Sequence, residues 1–210
     1  LTVNEATGAC TYATSCNAGY TISNNGKYNP TCTANTYTVT YAANGGTGSN
    51  QTQSVTYKSS FTTKASNTFT RSGYTFAGWG GSYPKSNTAY TYTTTGNTTL
   101  NAQWCQNCAS VSNGSCKLTV NEATGACTYA TSCNAGYTIS NNGKYNPTCT
   151  ANTYTVSFNA NGGSGGQSAS VTATYGAAMP AISTTAPTKT GYTFGGWYDT
   201  SAATGGTQYY

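Results

Sequence analysis

The chain has no histidine, and its only carboxylates are Glu5, Glu122 and Asp199. A Ser-His-Asp triad, a paired-carboxylate site and an oxygen-ligand calcium cage each need residues that are missing. Lone hydroxyls have no base to activate them, so the expectation is a non-catalytic protein without cofactor or metal. Charge of either sign is scarce: 5% of residues are Asp, Glu, Lys or Arg, against about 25% in an ordinary soluble domain. The net charge of +5 comes from eight basic residues scattered singly along the chain. Nucleic-acid binders cluster theirs on one face, so no nucleic-acid partner is expected. Long apolar runs and helical apolar spacing are also missing, which argues against a membrane-spanning segment in these residues.

Thr, Ser, Asn, Gly and Tyr fill the space. Thr and Tyr favour strands, and Gly, Asn and Ser favour turns, so the chain reads as mainly β. Leu1–Val39 recurs without a substitution as Leu118–Val156, 117 residues later. A period that long exceeds one solenoid turn and must hold more than one folding unit. The chain is therefore read as a piece of a tandem array that continues into further repeats.

Cysteines divide the period. Cys105, Cys108, Cys116, Cys127, Cys133 and Cys149 form a complete unit spaced C-x2-C-x7-C-x10-C-x5-C-x15-C. Cys10, Cys16 and Cys32 repeat its last three. The expected domains are 1–32 (half of a cysteine-rich module), 33–104 (a β module), 105–149 (a complete cysteine-rich module) and 150–210 (a β module lacking its last strand). With few aliphatic residues, the cysteine-rich unit cannot rest on a hydrophobic core. Disulfides are the expected staple and imply an extracellular setting. Zinc is the rival, since Cys105-Gln-Asn-Cys108 has knuckle spacing, but a second close pair is missing. Asn25-Gly26, between Gly19–Ile22 and Lys27–Asn29, predicts a hairpin that brings Cys16 to Cys32, with Pro30 breaking the ladder beyond it. The expected pairs are Cys105–Cys116, Cys108–Cys127 and Cys133–Cys149, with Cys16–Cys32 in the first copy and Cys10 unpaired.

In the β module, Tyr37, Val39 and Tyr41 alternate onto one strand face. Asn44-Gly45-Gly46 turns the chain. Val55–Tyr57, Gly73–Trp79 and Leu100–Trp104 read as further strands. Leu100, Ala102 and Trp104 are expected on the face of Val39, Tyr41, Tyr74 and Phe76. The second copy gives Tyr154–Phe158, a turn at Asn161-Gly162-Gly163, Val171–Tyr175 and Gly191–Trp197, with no counterpart of Leu100–Trp104. It is therefore expected to be less buried.

The ordered motifs Y-T-V-x-[FY]-x-A-N-G-G, P-T-x-x-G-Y-T-F-x-G-W and N-T-T-L-x-A-Q-W resemble the Listeria–Bacteroides repeat, also called the internalin-type B-repeat, over residues 37–104 and 154–210. The resemblance implies a small β-grasp-like fold, a bacterial surface or secreted location, and a stalk or adhesive role. It supplies no catalytic residues. The implied architecture alternates β-grasp-like sheet modules with small, disulfide-stapled, hairpin-containing ones. The implied partner is a protein or glycan on a host or neighbouring-cell surface, met by a multivalent stalk. A second reading is a direct ligand module, and a third an accessory region of a secreted enzyme. Nineteen tyrosines exceed what cores this small are expected to bury. Tyr83, Tyr90, Tyr92, Tyr198 and Tyr209 are accordingly the candidate contact residues, while the tryptophans are expected in core and rim packing.

Overall fold

The computed structural model describes residues 1–12, 14–202 and 204–210. In chain order the strands are β1 (Thr2–Asn4), β2 (Ala9–Thr11), β3 (Tyr20–Ser23), β4 (Thr31–Ala34), β5 (Thr36–Ala42), β6 (Gln51–Thr56), β7 (Ser60–Thr62), β8 (Tyr74–Trp79), β9 (Ala89–Thr91) and β10 (Thr98–Gln106). They continue with β11 (Gly114–Asn121), β12 (Ala126–Cys133), β13 (Tyr137–Ser140), β14 (Thr148–Ala151), β15 (Thr153–Val156) and β16 (Val171–Thr174). One 3-10 turn, Ser66–Thr68, is the only helical element among the described residues. The fold is mainly β, divided into several small sheets.

Two compact units emerge: Leu1–Cys108 with Lys117–Tyr129, and Ala109–Cys116 with Ala130–Tyr210. The first is built on a four-stranded sheet in the order β6-β5-β10-β8. β5 is antiparallel to β6 and parallel to β10, and β10 is antiparallel to β8. The period-two pattern accounts for the core. Val39, Tyr41, Leu100 and Ala102 are fully buried on the inner face, with Phe76 and Trp79 from β8. Trp79 lies at 4.9 Å from both the Tyr41 and the Phe76 rings and donates its Nε1 hydrogen to the Lys64 carbonyl at 3.1 Å. Edge-to-face rings of this kind add about 0.5–1.5 kcal/mol per pair beyond their buried area.

Three sequence expectations need correction here, and one strand pair was not expected. Tyr74 is half-exposed instead of joining the core, and Arg71 lies over its ring at 3.9 Å. The register shift between Ala102 and Trp104 breaks simple alternation, so Cys105 is fully buried while Trp104 packs at the rim, 5.8 Å from Phe76. The β7–β9 ribbon pairs Phe61 with Tyr90, and no alternating pattern announced it. Finally, Lys27-Tyr28-Asn29 belongs to the β3–β4 loop. Asn24 and Gly26 take positive φ, and the ladder begins after Pro30, with Ile22 opposite Cys32.

In the second unit the β module keeps only the β15–β16 pair as a named sheet. Gly191–Trp197, expected as a strand, forms none; Lys189↔Tyr192 and Tyr198↔Gln208 are isolated bridges. The aromatic centre survives in outline, with Phe158 at 5.1 Å and Phe194 at 5.4 Å from Trp197. Burial does not survive. Phe194 is 39% exposed against 9% for Phe76, and Val156 and Phe158 are half-buried where Val39 and Tyr41 are at 0%.

Candidate functional site at the hairpin junction

The candidate contact tyrosines divide sharply. Tyr198 and Tyr209 are exposed. Tyr83 and Tyr92 are buried, at 4% and 0%, and Tyr90 packs against the core. The expectation of exposure therefore fails for Tyr83 and Tyr92, while Tyr90 is half-buried; Tyr83, Tyr92 and Tyr90 form a cluster around Phe61 with ring separations of 5.0, 5.7 and 6.4 Å. Their hydroxyls explain why burial is tolerated. Tyr92 donates to the Gly96 carbonyl at 2.5 Å, and Tyr83 accepts from the Thr93 amide at 3.0 Å. Tyr90 accepts from the Lys85 amide at 3.1 Å. Each oxygen reaches a backbone group at low desolvation cost.

Burial also shifts ionisation. Desolvation pushes the Tyr92 hydroxyl up, helped by its neighbours Tyr83 and Tyr37. At Tyr83 burial pulls upward, but hydrogen bonds with Thr94 and Thr93 outweigh it and the net direction is down. Burial pushes Tyr41 up to about 12, with a hydrogen bond at Lys64 offsetting part of the shift. A raised folded-state pKa stabilises below the unfolded value, and that stability is lost as pH rises through the folded one. The first β module is expected to lose about 2–3 kcal/mol between roughly pH 10 and pH 12. Far-UV circular dichroism against pH tests this, with Tyr41→Phe flattening the alkaline limb. An unchanged limb in that variant contradicts the assignment.

Polar contacts join the β11–β12 hairpin to the first sheet module. The Glu122 carboxylate accepts from the Ser86 amide at 2.8 Å and the Ser86 hydroxyl at 2.7 Å. Tyr129 donates to the Gln106 carbonyl at 2.7 Å. Gly78, at φ +110°, leaves room for this approach: a Cβ there would stand 2.5 Å from the Glu122 carbonyl and 2.8 Å from that of Pro84. A disulfide between Cys105 and Cys127 closes the junction. Beside it runs a groove of about 450 Å³, lined in part by Phe69, Arg71, Tyr74, Phe76, Trp104 and Val120. Ring faces and one guanidinium equip it for stacking and hydrogen-bond donation.

The Cys105–Cys127 bond overturns the expected Cys105–Cys116 and Cys108–Cys127 pairs. The reason is the length of β10, which runs through Cys105 to Gln106 and buries Cys105 opposite Thr75 of β8, where the second arm of the hairpin returns. Cys108 and Cys116 are also disulfide-bonded. Cys16 bonds Cys32, Cys133 bonds Cys149, and Cys10 is a free, exposed thiol. No cluster of three or more His, Cys, Asp or Glu suited to a metal occurs among the described residues. Among the described residues, no helix is long and apolar enough to cross a membrane.

A second contact occurs in both units. Tyr20 packs edge-on against Tyr57 at 5.5 Å, and Tyr137 against Tyr175 at 5.6 Å. Gly19 and Gly136, both at φ +84° to +88°, lie directly under those rings, where no Cβ fits. The sequence reading missed both junctions. The signal for the first was there: a glutamate retained in each copy of a nearly uncharged chain.

A family model for the Listeria-Bacteroides repeat domain matches residues 37–103 and 154–210, more than half of the chain. Comparison with curated proteins gave no match, and comparison with solved structures gave none.

Proposed function

Because this chain belongs to the Listeria-Bacteroides repeat domain family, we propose that it is a non-catalytic stalk region of a bacterial surface or secreted protein, and specifically of an adhesin. The four-stranded mixed sheet is read as the β-grasp-like arrangement of such a repeat. The observation that carries the stalk reading is the repetition of one joint. In both units a disulfide-closed hairpin, β3–β4 or β13–β14, packs a tyrosine against the sheet module that follows it. A module that carries its own forward contact is suited to chaining. Disulfides fit an oxidising, extracytoplasmic location. The partner in this reading is a protein or glycan on a host or neighbouring cell, held by many weak contacts. Repetition raises avidity by effective concentration, by about 10²–10⁴-fold over one contact.

The test displays the chain on beads at graded density and measures cell adhesion. Adhesion should rise steeply with density while the free chain competes poorly. Tight one-to-one binding by the free chain would instead favour the direct ligand reading, for which the groove beside Arg71 and Trp104 is the supporting observation. Arg71→Ala would then weaken binding without unfolding the module.

A further inference from the structure

We propose that each β module carries a binding site for an acidic polysaccharide, built on a cation laid over a tyrosine ring: Arg71 over Tyr74 in the first module, and Lys189 over Tyr192 in the second.

The two modules differ in sequence here, yet they build the same contact. Arg71 Cζ stands 3.9 Å from the centre of the Tyr74 ring, and Lys189 Nζ 4.7 Å from that of Tyr192. Lys189 is the only basic residue in the sequence 150–210, and it falls at this position. Two backbone devices hold each cation. The first is a turn: the Tyr74 amide donates to the Arg71 carbonyl at 3.1 Å, and the Tyr192 amide to the Lys189 carbonyl at 3.1 Å. Gly73 and Gly191, at φ +76° and +80°, supply the left-handed residue before each tyrosine. The second device is a strap to the Asn-Gly-Gly turn. Thr47 bridges Thr70, and Ser164 bridges Thr188, which fixes the residue just before each cation. The bare glycine in that turn leaves the cation its space. A Cβ at Gly45 would stand 3.4 Å from Arg71 Cζ, and one at Gly162 would stand 3.4 Å from Lys189 Nζ.

Each cation is placed but not neutralised. Among the described residues no ion pair or side-chain hydrogen bond engages the Arg71 guanidinium, whose contact is the Tyr74 ring. Lys189 gives one hydrogen to the Asn161 carbonyl at 2.9 Å and keeps the others. A charge pinned over a ring has little rotamer freedom left to lose, so capture of an anion costs less ordering.

The surroundings of Arg71 select the ligand. It borders the groove beside the β11–β12 hairpin, with half-exposed Tyr74 and Trp104 and with exposed Ser66 and Asn67. Glu122 borders it too, but Ser86 engages its carboxylate. Ring faces take the C–H face of a sugar, a hydroxyl and an amide meet its hydroxyls, and the guanidinium takes its carboxylate or sulfate. Nucleic acid calls for clustered cations, and each module sets a single one here. A polymer with an acidic group in every repeat can engage one module after another, so weak contacts add. The role of this contact in adhesion rests on the stalk reading above; the contact itself does not.

The whole chain is titrated over immobilised polyglucuronate, dextran sulfate, polyglutamate and neutral dextran. An acidic polysaccharide should retain it, neutral dextran should not, and polyglutamate should retain it distinctly less. Preference for polyglucuronate assigns the anion as a carboxylate, and preference for dextran sulfate assigns it as a sulfate. Arg71→Gln and Lys189→Gln should each weaken binding about tenfold, the scale of one charge-assisted hydrogen bond. The double variant should bind least, and Arg71→Lys should keep most of the affinity. Lys27→Gln combined with Lys144→Gln removes an exposed charge from each cysteine-rich module and should change little. If Arg71→Gln loses its near-ultraviolet circular dichroism, Lys189→Gln and the control pair still decide. Three outcomes overturn the proposal: equal loss in the control pair, equal retention by polyglutamate, or no retention by either acidic polysaccharide. Loss of density-dependent bead adhesion with retention intact would count against the stalk and leave both sites standing.

Discussion

Replacing Trp79 by alanine is expected to cost about 3–5 kcal/mol, the usual penalty for emptying a fully buried aromatic site. Trp79 is 1% exposed, touches Tyr41, Phe69 and Phe76, and fixes the Lys64 carbonyl. Small domains hold roughly 5–15 kcal/mol in all, and so small a sheet sits near the lower end. The substitution should therefore bring the first β module to the edge of unfolding at room temperature. Trp197→Ala should cost less than half as much. Its ring keeps the Phe158 and Phe194 contacts but is half-exposed, so less area is lost and water fills the space. Urea unfolding of both variants, followed by near-ultraviolet circular dichroism, separates them. Equal losses would show that the two tryptophans sit in equivalent cores.

Hydrogen exchange should divide the two β modules even more widely. β5 is flanked on both sides, by β6 and β10, whereas β15 is paired with β16 alone among the described strands. Central strands open with free energies close to the global value, and singly paired ones open for far less. Amides around Val156 are expected to exchange on the order of a hundredfold faster than those around Val39. Extending the chain beyond Tyr210 with a segment like Thr93–Trp104 should supply the fourth strand, cover Phe194 and slow the exchange. Equal protection in the unextended chain would mean that β10 does not govern the stability of this sheet.

Those contrasts also explain what the sequence could convey. Tyr37, Val39 and Tyr41 alternate cleanly because β5 has one buried face, and period-two reading finds such strands. Gly191–Trp197 has the residues of β8 but no ladder. β8 is held by β10 alone, and residues 154–210 contain no counterpart of Leu100–Trp104. A strand pattern states what a segment can do, and a neighbour decides whether it does it. The tyrosines misled for another reason. A count of nineteen suggested surplus rings for the surface, but these cores are themselves made of tyrosine, with hydroxyls tied to backbone groups at Gly96, Thr93 and Lys85. The family motifs pointed to the sheet modules, and the duplication exposed the array. The repeated glutamate marked the hairpin junction without placing it, because the junction depends on two segments far apart in sequence, one of them inside the cysteine-rich module. Cysteine spacing cannot say that a strand runs on past Trp104 to carry Cys105 into the core.

The parallel pairing of β5 with β10 has a mechanical consequence. These are the first and last strands of the first sheet module, and they lie side by side with Val39 opposite Thr98 and Tyr41 opposite Leu100. A pull applied at Thr36 and Gln106 drags the two strands past each other lengthwise. The bonds between them then carry load together, in shear, instead of parting one after another as in an unzipped hairpin. A chain of such modules under tension should lengthen in abrupt, separate steps. Segments closed by Cys16–Cys32 and Cys133–Cys149 should add nothing to its length until the sulfurs are reduced.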